Sequence, residues 1–264
     1  MFRGFNVEIA PLKVAKYQEW HDAGSQLFNK QRNQLRQNLD DLVLGNGSLD
    51  GAGLQQQWFP QVEADVFISH SHADKETAII LAGLLHEEFD VKCFTDTTVW
   101  GYGDELLRRL DEKHCVTGPQ KFSYEARNRS TSHVHLMLAG ALSKMIDNTE
   151  CVFFLNSPAS VSAQQVMDTT LSPWLYFELL ATQLLRKKTP QEHPRRQILT
   201  KSFSDDERII TESFEMSHPI ELGHLTSLLF NNTFLNSWRD LAKPYAFKLD
   251  ALYTLSPQRN IIFS

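Results

Sequence analysis

Apolar residues change their period along this chain, and each change predicts a different element. Between Pro11 and Leu44, Tyr17, Trp20, Leu27, Phe28, Leu35, Leu39 and Leu42 recur at spacings of three, four and seven. That spacing predicts a helix whose opposite face carries Gln, Asn, Arg and Lys. An apolar stripe of this kind needs a partner, either its own domain or a second copy of the chain. The segment Gly45–Gly53 (GNGSLDGAG) then places four glycines in nine residues, which reads as a flexible turn or linker and marks a domain boundary.

Beyond the linker the runs shorten. Asp65–Ser69 (DVFIS), Val91–Thr95 (VKCFT) and Cys151–Leu155 (CVFFL) are apolar runs bounded by polar residues, as buried strands are, and Gln197–Lys201 is a fourth candidate strand. Ser71 and Asp74 have capping-box spacing ahead of a helix over Lys75–Phe89. Further helices are predicted from Asp104 to Lys113, from His133 to Ile146, from Trp174 to Lys187, and from Leu222 to Leu241, the last ending before Pro244. Gly118–Ser132 reads as polar and irregular, and Asn156–Thr170 as a Gln-containing loop. Solenoid or propeller periods do not occur.

Strands alternating with helices imply parallel β-α-β units and an α/β fold with helices on both faces of the sheet. Ligands of such sheets bind beyond the carboxyl ends of the strands. The rule selects Ser69–Asp74, Asp96–Gly103 and the segment after Leu155 as places to look for chemistry.

Composition narrows the classes. With 264 residues the chain has room for one main domain and an extension. A formal net charge of −6 disfavours nonspecific nucleic-acid binding, the dense basic positions being Arg108, Arg109, Lys113, Arg127 and Arg129. Three cysteines, Cys93, Cys115 and Cys151, do not suggest a disulfide framework; a reducing cytoplasm and buried thiols are the expectation. No apolar run reaches about 18 residues and the first residues lack a signal-peptide core, so neither a membrane span nor an export signal is expected.

One pair of side chains carries the strongest chemical signal. Trp174 and Glu178 lie four apart on a helix and so share a face. A carboxylate beside an aromatic wall can accept hydrogen bonds from a ribose and stabilise an oxocarbenium-like transition state. Taken alone, the spacing favours a solvent-facing glutamate beside a core tryptophan. The His133-x-His135 pair lacks a third ligand at suitable spacing, so no metal site is expected.

Three stretches tip that balance. Ala64–Lys75 (ADVFISHSHADK), then Lys92–Asp96 (KCFTD) with Gly103–Leu106 (GDEL), then Ser172–Leu179 (SPWLYFEL) occur in the order of Toll/interleukin-1 receptor (TIR) domain signatures. The chain thus resembles TIR domains of the bacterial NAD+-cleaving type over about Ala64 to Lys201. The resemblance implies a flavodoxin-like domain over residues 61–264, with an insertion around 115–147 and a C-terminal helical region. Residues 1–60, outside the resemblance, would be an N-terminal helical extension and linker.

The resemblance also implies roles. Glu178 would be the catalytic residue, with Trp174 beside the substrate. Ser69, His70 and Ser71 would meet phosphates or ribose. Asp96, Trp100 and Tyr102 would belong to the loop that gates the pocket. NAD+ is then a substrate and no cofactor is needed. Self-association is expected, as is a setting in anti-phage defence of the Thoeris kind, where an ADP-ribose-derived signal acts on a separate effector protein. The stretch Cys115–Ile146 is longer than the family pattern, and Ser132 and His133, with His135, are added as possible substrate contacts. There Ser130 or Ser132 would cap a helix whose free N–H groups face a phosphate. The rival classes are a non-enzymatic TIR adaptor and a nucleoside deoxyribosyltransferase-like enzyme.

Overall fold

The computed structural model describes residues 1–12, 16–33, 49–100, 103–118, 121–164, 167–170, 172–193 and 218–257. In chain order its strands are β1 (Arg3–Ile9), β2 (Val66–Ser69), β3 (Cys93–Phe94), β4 (Val116–Gly118), β5 (Lys121–Phe122), β6 (Cys151–Leu155), β7 (Ser162–Gln164), β8 (Met167–Thr170), β9 (His218–Pro219) and β10 (Thr226–Phe230). The helices are α1 (Tyr17–Arg32), α2 (Gly51–Trp58), α3 (Lys75–Phe89), α4 (Asp96–Val99), α5 (Gly103–His114), α6 (Tyr124–Asn148), α7 (Pro173–Leu184), α8 (Asn232–Ala242) and α9 (Lys248–Leu255).

Five of the strands form one parallel sheet in the order β10-β1-β6-β2-β3. The α/β class, with a parallel central sheet between helices, is therefore as the sequence predicts. With β1 set aside, the order β3-β2-β6 is the second-first-third arrangement of a flavodoxin-like sheet. The place next to β6 is taken by β1, whose Phe5 pairs with Phe153 of β6 and with Thr226 of β10.

The N-terminal residues thus supply an interior strand of the sheet. The reason lies in their alternation: Arg3, Phe5 and Val7 are buried on one face. Arg3 sits there as a cation against the rings of Phe2, Phe5 and Tyr253 and donates to the carbonyl of Ser256 at 2.5 Å. The helix predicted from Pro11 is observed from Tyr17 to Arg32; Gly45–Ser48 and the candidate strand Gln197–Lys201 lie outside the described residues. Gly51 and Gly53, read as linker, open α2, with Asp50 as N-cap accepting from the Gly53 N–H.

Register divides the sheet into two faces. Phe5, Phe153 and Ile68 are register partners on one side, where Tyr253 of α9 stacks on Phe5. Contacts link α9 to α8, α8 to α3 and α3 to α1 in that layer. The α1–α3 crossing is close because each helix offers a glycine: a β-carbon on Gly83 would lie 1.7 Å from the Trp20 carbonyl oxygen, and one on Gly24 2.1 Å from that of Ile79. The apolar stripe of α1 (Trp20, Gly24, Phe28) is buried on its own chain.

On the other side Ser69 and Phe154 are register partners beneath α7, α7 packs on α6, and α6 in turn packs on α5 and α2. The helix predicted over Leu222–Leu241 is instead a strand and a helix. Leu228 and Phe230 alternate inward along β10, and Asn231 starts α8 by accepting from the Phe234 N–H. The loop predicted over Asn156–Thr170 contains β7 and β8, and β8 pairs antiparallel with both β7 and β9 in a separate three-stranded sheet. Cys93, Cys115 and Cys151 are all buried thiols. Among the described residues no helix is long and apolar enough to cross a membrane.

Candidate active site

Parallel strands bring their carboxyl ends to one edge, and two of those ends meet α7. All four residues of β2 are buried, and its last, Ser69, is 1% exposed. Across from it, α7 starts at Ser172, whose hydroxyl accepts from the Leu175 N–H, with Pro173 in the first turn. Both are favourable N-terminal signals. Leu175 and Leu179 anchor α7 on Phe154, and this packing directs Glu178 toward β2. The Ser69 hydroxyl donates to Oε2 of Glu178 at 2.5 Å, and Glu178 is 3% exposed.

Asp96 follows β3 as the first residue of α4 and is half-buried. Its carboxyl is raised above the ordinary aspartate value by burial, opposed by the charge of His70 and by the backbone N–H groups of Thr97 and Asp96. Glu178 is raised well above the ordinary glutamate value, first by burial and then by the neighbouring Asp96 charge, with the Ser69 hydrogen bond acting in the opposite direction. Burial and the neighbouring Asp96 charge thus both favour the neutral form of the Glu178 carboxyl.

His70 completes the group. It is 5% exposed, with Nδ1 3.3 Å from the Ile68 carbonyl and Nε2 3.2 Å from the Thr97 hydroxyl. One neutral tautomer satisfies both contacts, with Nδ1–H donating and Nε2 accepting. Burial lowers its pKa, and the charges of Asp96 and Asp74 pull the other way.

One turn before Glu178, Trp174 is half-buried, and its ring meets that of His135 on α6 at 5.4 Å and 87°. The site is therefore Ser69, His70, Asp96 and Glu178, with Thr97 added, with Trp174 on the adjoining turn of α7 and His135 against it from α6.

Other expected site residues lie elsewhere. The Ser71 hydroxyl donates to Oδ2 of Asp74, as does that of Ser157 at 2.6 Å, so this carboxylate ties the loop after β2 to the loop after β6. Neither partner of the expected capping box caps a backbone N–H. Trp100 is 3% exposed in the core, packed on Phe59 and Phe94, with its indole N–H on the Pro60 carbonyl. Tyr102 lies outside the described residues.

Ser132 and His133 sit in the interior of α6. That helix begins at Tyr124 with Ser123 as its cap, so no helix N-terminus faces a phosphate at Ser130 or Ser132. The Ser132 hydroxyl bonds back to the Asn128 carbonyl, and His133 is exposed. Within the His-x-His pair, His135 is the member that meets α7; it follows Val134, which is buried, whereas His133 precedes it. Thr97 was missed, although a hydroxyl directly after the acid that closes strand Val91–Thr95 was a readable signal. No group of three or more His, Cys, Asp or Glu side chains that could hold a metal ion occurs among the described residues.

Comparisons of the chain with protein-family models, with curated proteins and with solved structures returned no match.

Proposed function

We propose that the chain is an NAD+ nucleosidase of TIR type, with Glu178 as the catalytic residue. The observation that carries the reading is the Glu178 carboxyl itself. It is enclosed on a well-anchored helix, bonded to the last residue of a central strand, and set beside a second acid at the end of the next strand. The order of the three TIR-like stretches supplies the identity of the substrate.

The chemistry follows from charge. Nicotinamide in NAD+ is a pyridinium, so breaking its bond to the ribose returns the electron pair to the ring nitrogen and releases a neutral base. No acid is needed at the leaving group. Positive charge develops on the ribose carbon and ring oxygen, and an ionised Glu178 stabilises it. Approach of the pyridinium itself promotes loss of the proton that burial and the Asp96 charge favour on Glu178. Water then adds to the anomeric carbon and gives its proton to Glu178, yielding ADP-ribose, nicotinamide and one proton overall. Attack by an adenine nitrogen in place of water gives a cyclic product and also releases a proton. Trp174, one turn away, stacks on the base or the ribose face.

Glu178 is 3% exposed, so a substrate reaches it only as the side chains around it move apart. Self-association and a role in anti-phage defence through a separate effector belong to the same proposal and rest on the family resemblance, and action in the cytoplasm rests on the sparse cysteines.

Mass spectrometry of NAD+ incubated with the full chain at high protein concentration tests the reading. Wild type is expected to yield nicotinamide with ADP-ribose or an isomer of its dehydrated form, and Glu178→Gln to yield neither. Cleavage of deoxynucleosides with NAD+ left intact would replace this reading with a deoxyribosyltransferase-like one. Equal NAD+ loss by both proteins would end the case for Glu178.

A further inference from the structure

We propose that Ser69 is the positioning residue of this site: its hydroxyl fixes the rotation of the Glu178 carboxyl through Oε2 and so presents Oε1 to the reacting carbon. The inference rests on the nucleosidase reading for its kinetic form, and on geometry for the rest.

Three observations carry it. First, Ser69 is 1% exposed and its hydroxyl is directed at Glu178, so it acts through that carboxyl and not on a phosphate or ribose. Second, the donor stands on the rigid part of the fold. Ser69 ends β2, in register with Phe154 of β6, while Glu178 reaches it along a flexible side chain from α7. A glutamate held at one oxygen gives up rotamers that would otherwise have to be lost in the transition state. Third, the donor has the right polarity. A hydroxyl donating to a carboxylate favours its charged form, against burial and against the Asp96 charge. The neighbouring His70 is engaged with Ile68 and Thr97.

The titratable group whose charge acts on Glu178 is Asp96 on α4, and His70, which follows Ser69 in the chain, has Asp96, Asp74 and His72 around it. On the remaining faces of α7, His135 meets Trp174, His218 stacks on Tyr176, and His224 meets Thr182. Of these, Asp96 is the charge whose field reaches Glu178 directly.

The test compares Ser69→Ala, Ser69→Thr and Ser69→Cys in the full chain. A lost hydrogen bond to a charged group predicts that Ser69→Ala lowers kcat about 10- to 100-fold with KM within threefold, and moves the acid limb of kcat/KM up by about 1 to 2 pH units. Ser69→Thr, which keeps the hydroxyl, is expected to restore most of the rate and the wild-type limb. A KM rise with kcat unchanged would make Ser69 a substrate contact and overturn the proposal, as would an unmoved limb. If Ser69→Ala does not fold, Ser69→Cys replaces it, because a thiol is a weak donor and shifts the limb in the same direction. A readout without substrate separates this inference from the nucleosidase reading. The Glu178 side-chain carbon, assigned in labelled protein by its loss in Glu178→Gln, is titrated by NMR in wild type and Ser69→Ala. The resonance is expected to titrate at higher pH in Ser69→Ala even if NAD+ proves not to be the substrate, and an equal midpoint overturns the proposal.

Discussion

The rings of His135 and Trp174 meet at 5.4 Å and 87°, joining α6 to the turn of α7 that precedes Glu178. Perpendicular aromatic pairs contribute about 0.5–1.5 kcal/mol beyond their buried area. Burial lowers the His135 pKa, opposed by Asp104, so the ring is neutral at pH 7. His135→Ala is therefore expected to free the indole and raise KM for NAD+ about 2- to 10-fold, while His135→Phe keeps it near wild type. Steady-state kinetics on the two variants decides, and identical KM values for wild type and His135→Ala would detach this pair from the site.

The glycine crossing of α1 and α3 makes a prediction about stability. Ala at Gly83 would press its β-carbon on the Trp20 carbonyl, which is backbone and cannot swing aside. The helices would have to separate, at a cost of about 3 kcal/mol as severe overpacking goes. Urea unfolding of Gly83→Ala should show a clear drop in midpoint, and Gly24→Ala should do the same against Ile79. Unchanged midpoints would mean that α1 does not dock there.

His224 provides a pH signature. The Thr182 hydroxyl donates to the Leu179 carbonyl, leaving its oxygen to accept from Nε2 of His224 at 2.7 Å, while Nδ1 faces the Gln183 amide at 3.3 Å. Burial and then the Lys187 charge lower this pKa to about 4, against a hydrogen bond to the Glu221 carbonyl that favours the charged ring. The unfolded chain binds the proton more readily, so the contribution is present above about 6.5 and is lost as pH falls toward 4. Thermal unfolding from pH 4 to 7 should steepen through this group, and His224→Gln should flatten the curve. Parallel curves would refute the assignment.

Glu178 works in the opposite sense. Its folded pKa is raised, so its contribution is full below the unfolded value of about 4.3 and falls away as pH rises through the folded value. Glu178→Gln keeps an acceptor for Ser69 and cannot ionise. It is expected to be more stable than wild type near neutral pH, with the difference closing toward pH 4. A variant less stable than wild type at pH 7 would show that the carboxyl is structurally required.

Much of this was legible along the chain because the signals were local. Cys151–Leu155 and Asp65–Ser69 are apolar runs bounded by polar residues, and the helix that holds Glu178 is predicted over Trp174–Lys187 and observed over Pro173–Leu184. Residues that failed to read did so because sheet partners and neighbouring helices decide them. β1 carries only a short alternation, interrupted by Arg3, a residue tolerated in the interior because three aromatic rings and the Ser256 carbonyl surround it. Leu222, Leu225, Leu228 and Leu229 imitate helical spacing, yet β1 takes Thr226–Phe230 into the sheet. Trp100 carries a site-like residue type into the core, a placement that Phe59 and Phe94 determine. Of the site itself, the acid and the strand ends were readable. The Ser69–Glu178 bond, between residues 109 apart, was not.

The most direct test of the central claim is the rate of nicotinamide release from NAD+ by wild type and Glu178→Gln, measured side by side at high protein concentration. Loss of a transition-state electrostatic stabiliser predicts a fall of about 10² to 10³ or more in that rate, with the variant still folded by circular dichroism. A Glu178→Gln rate within threefold of wild type would contradict the account.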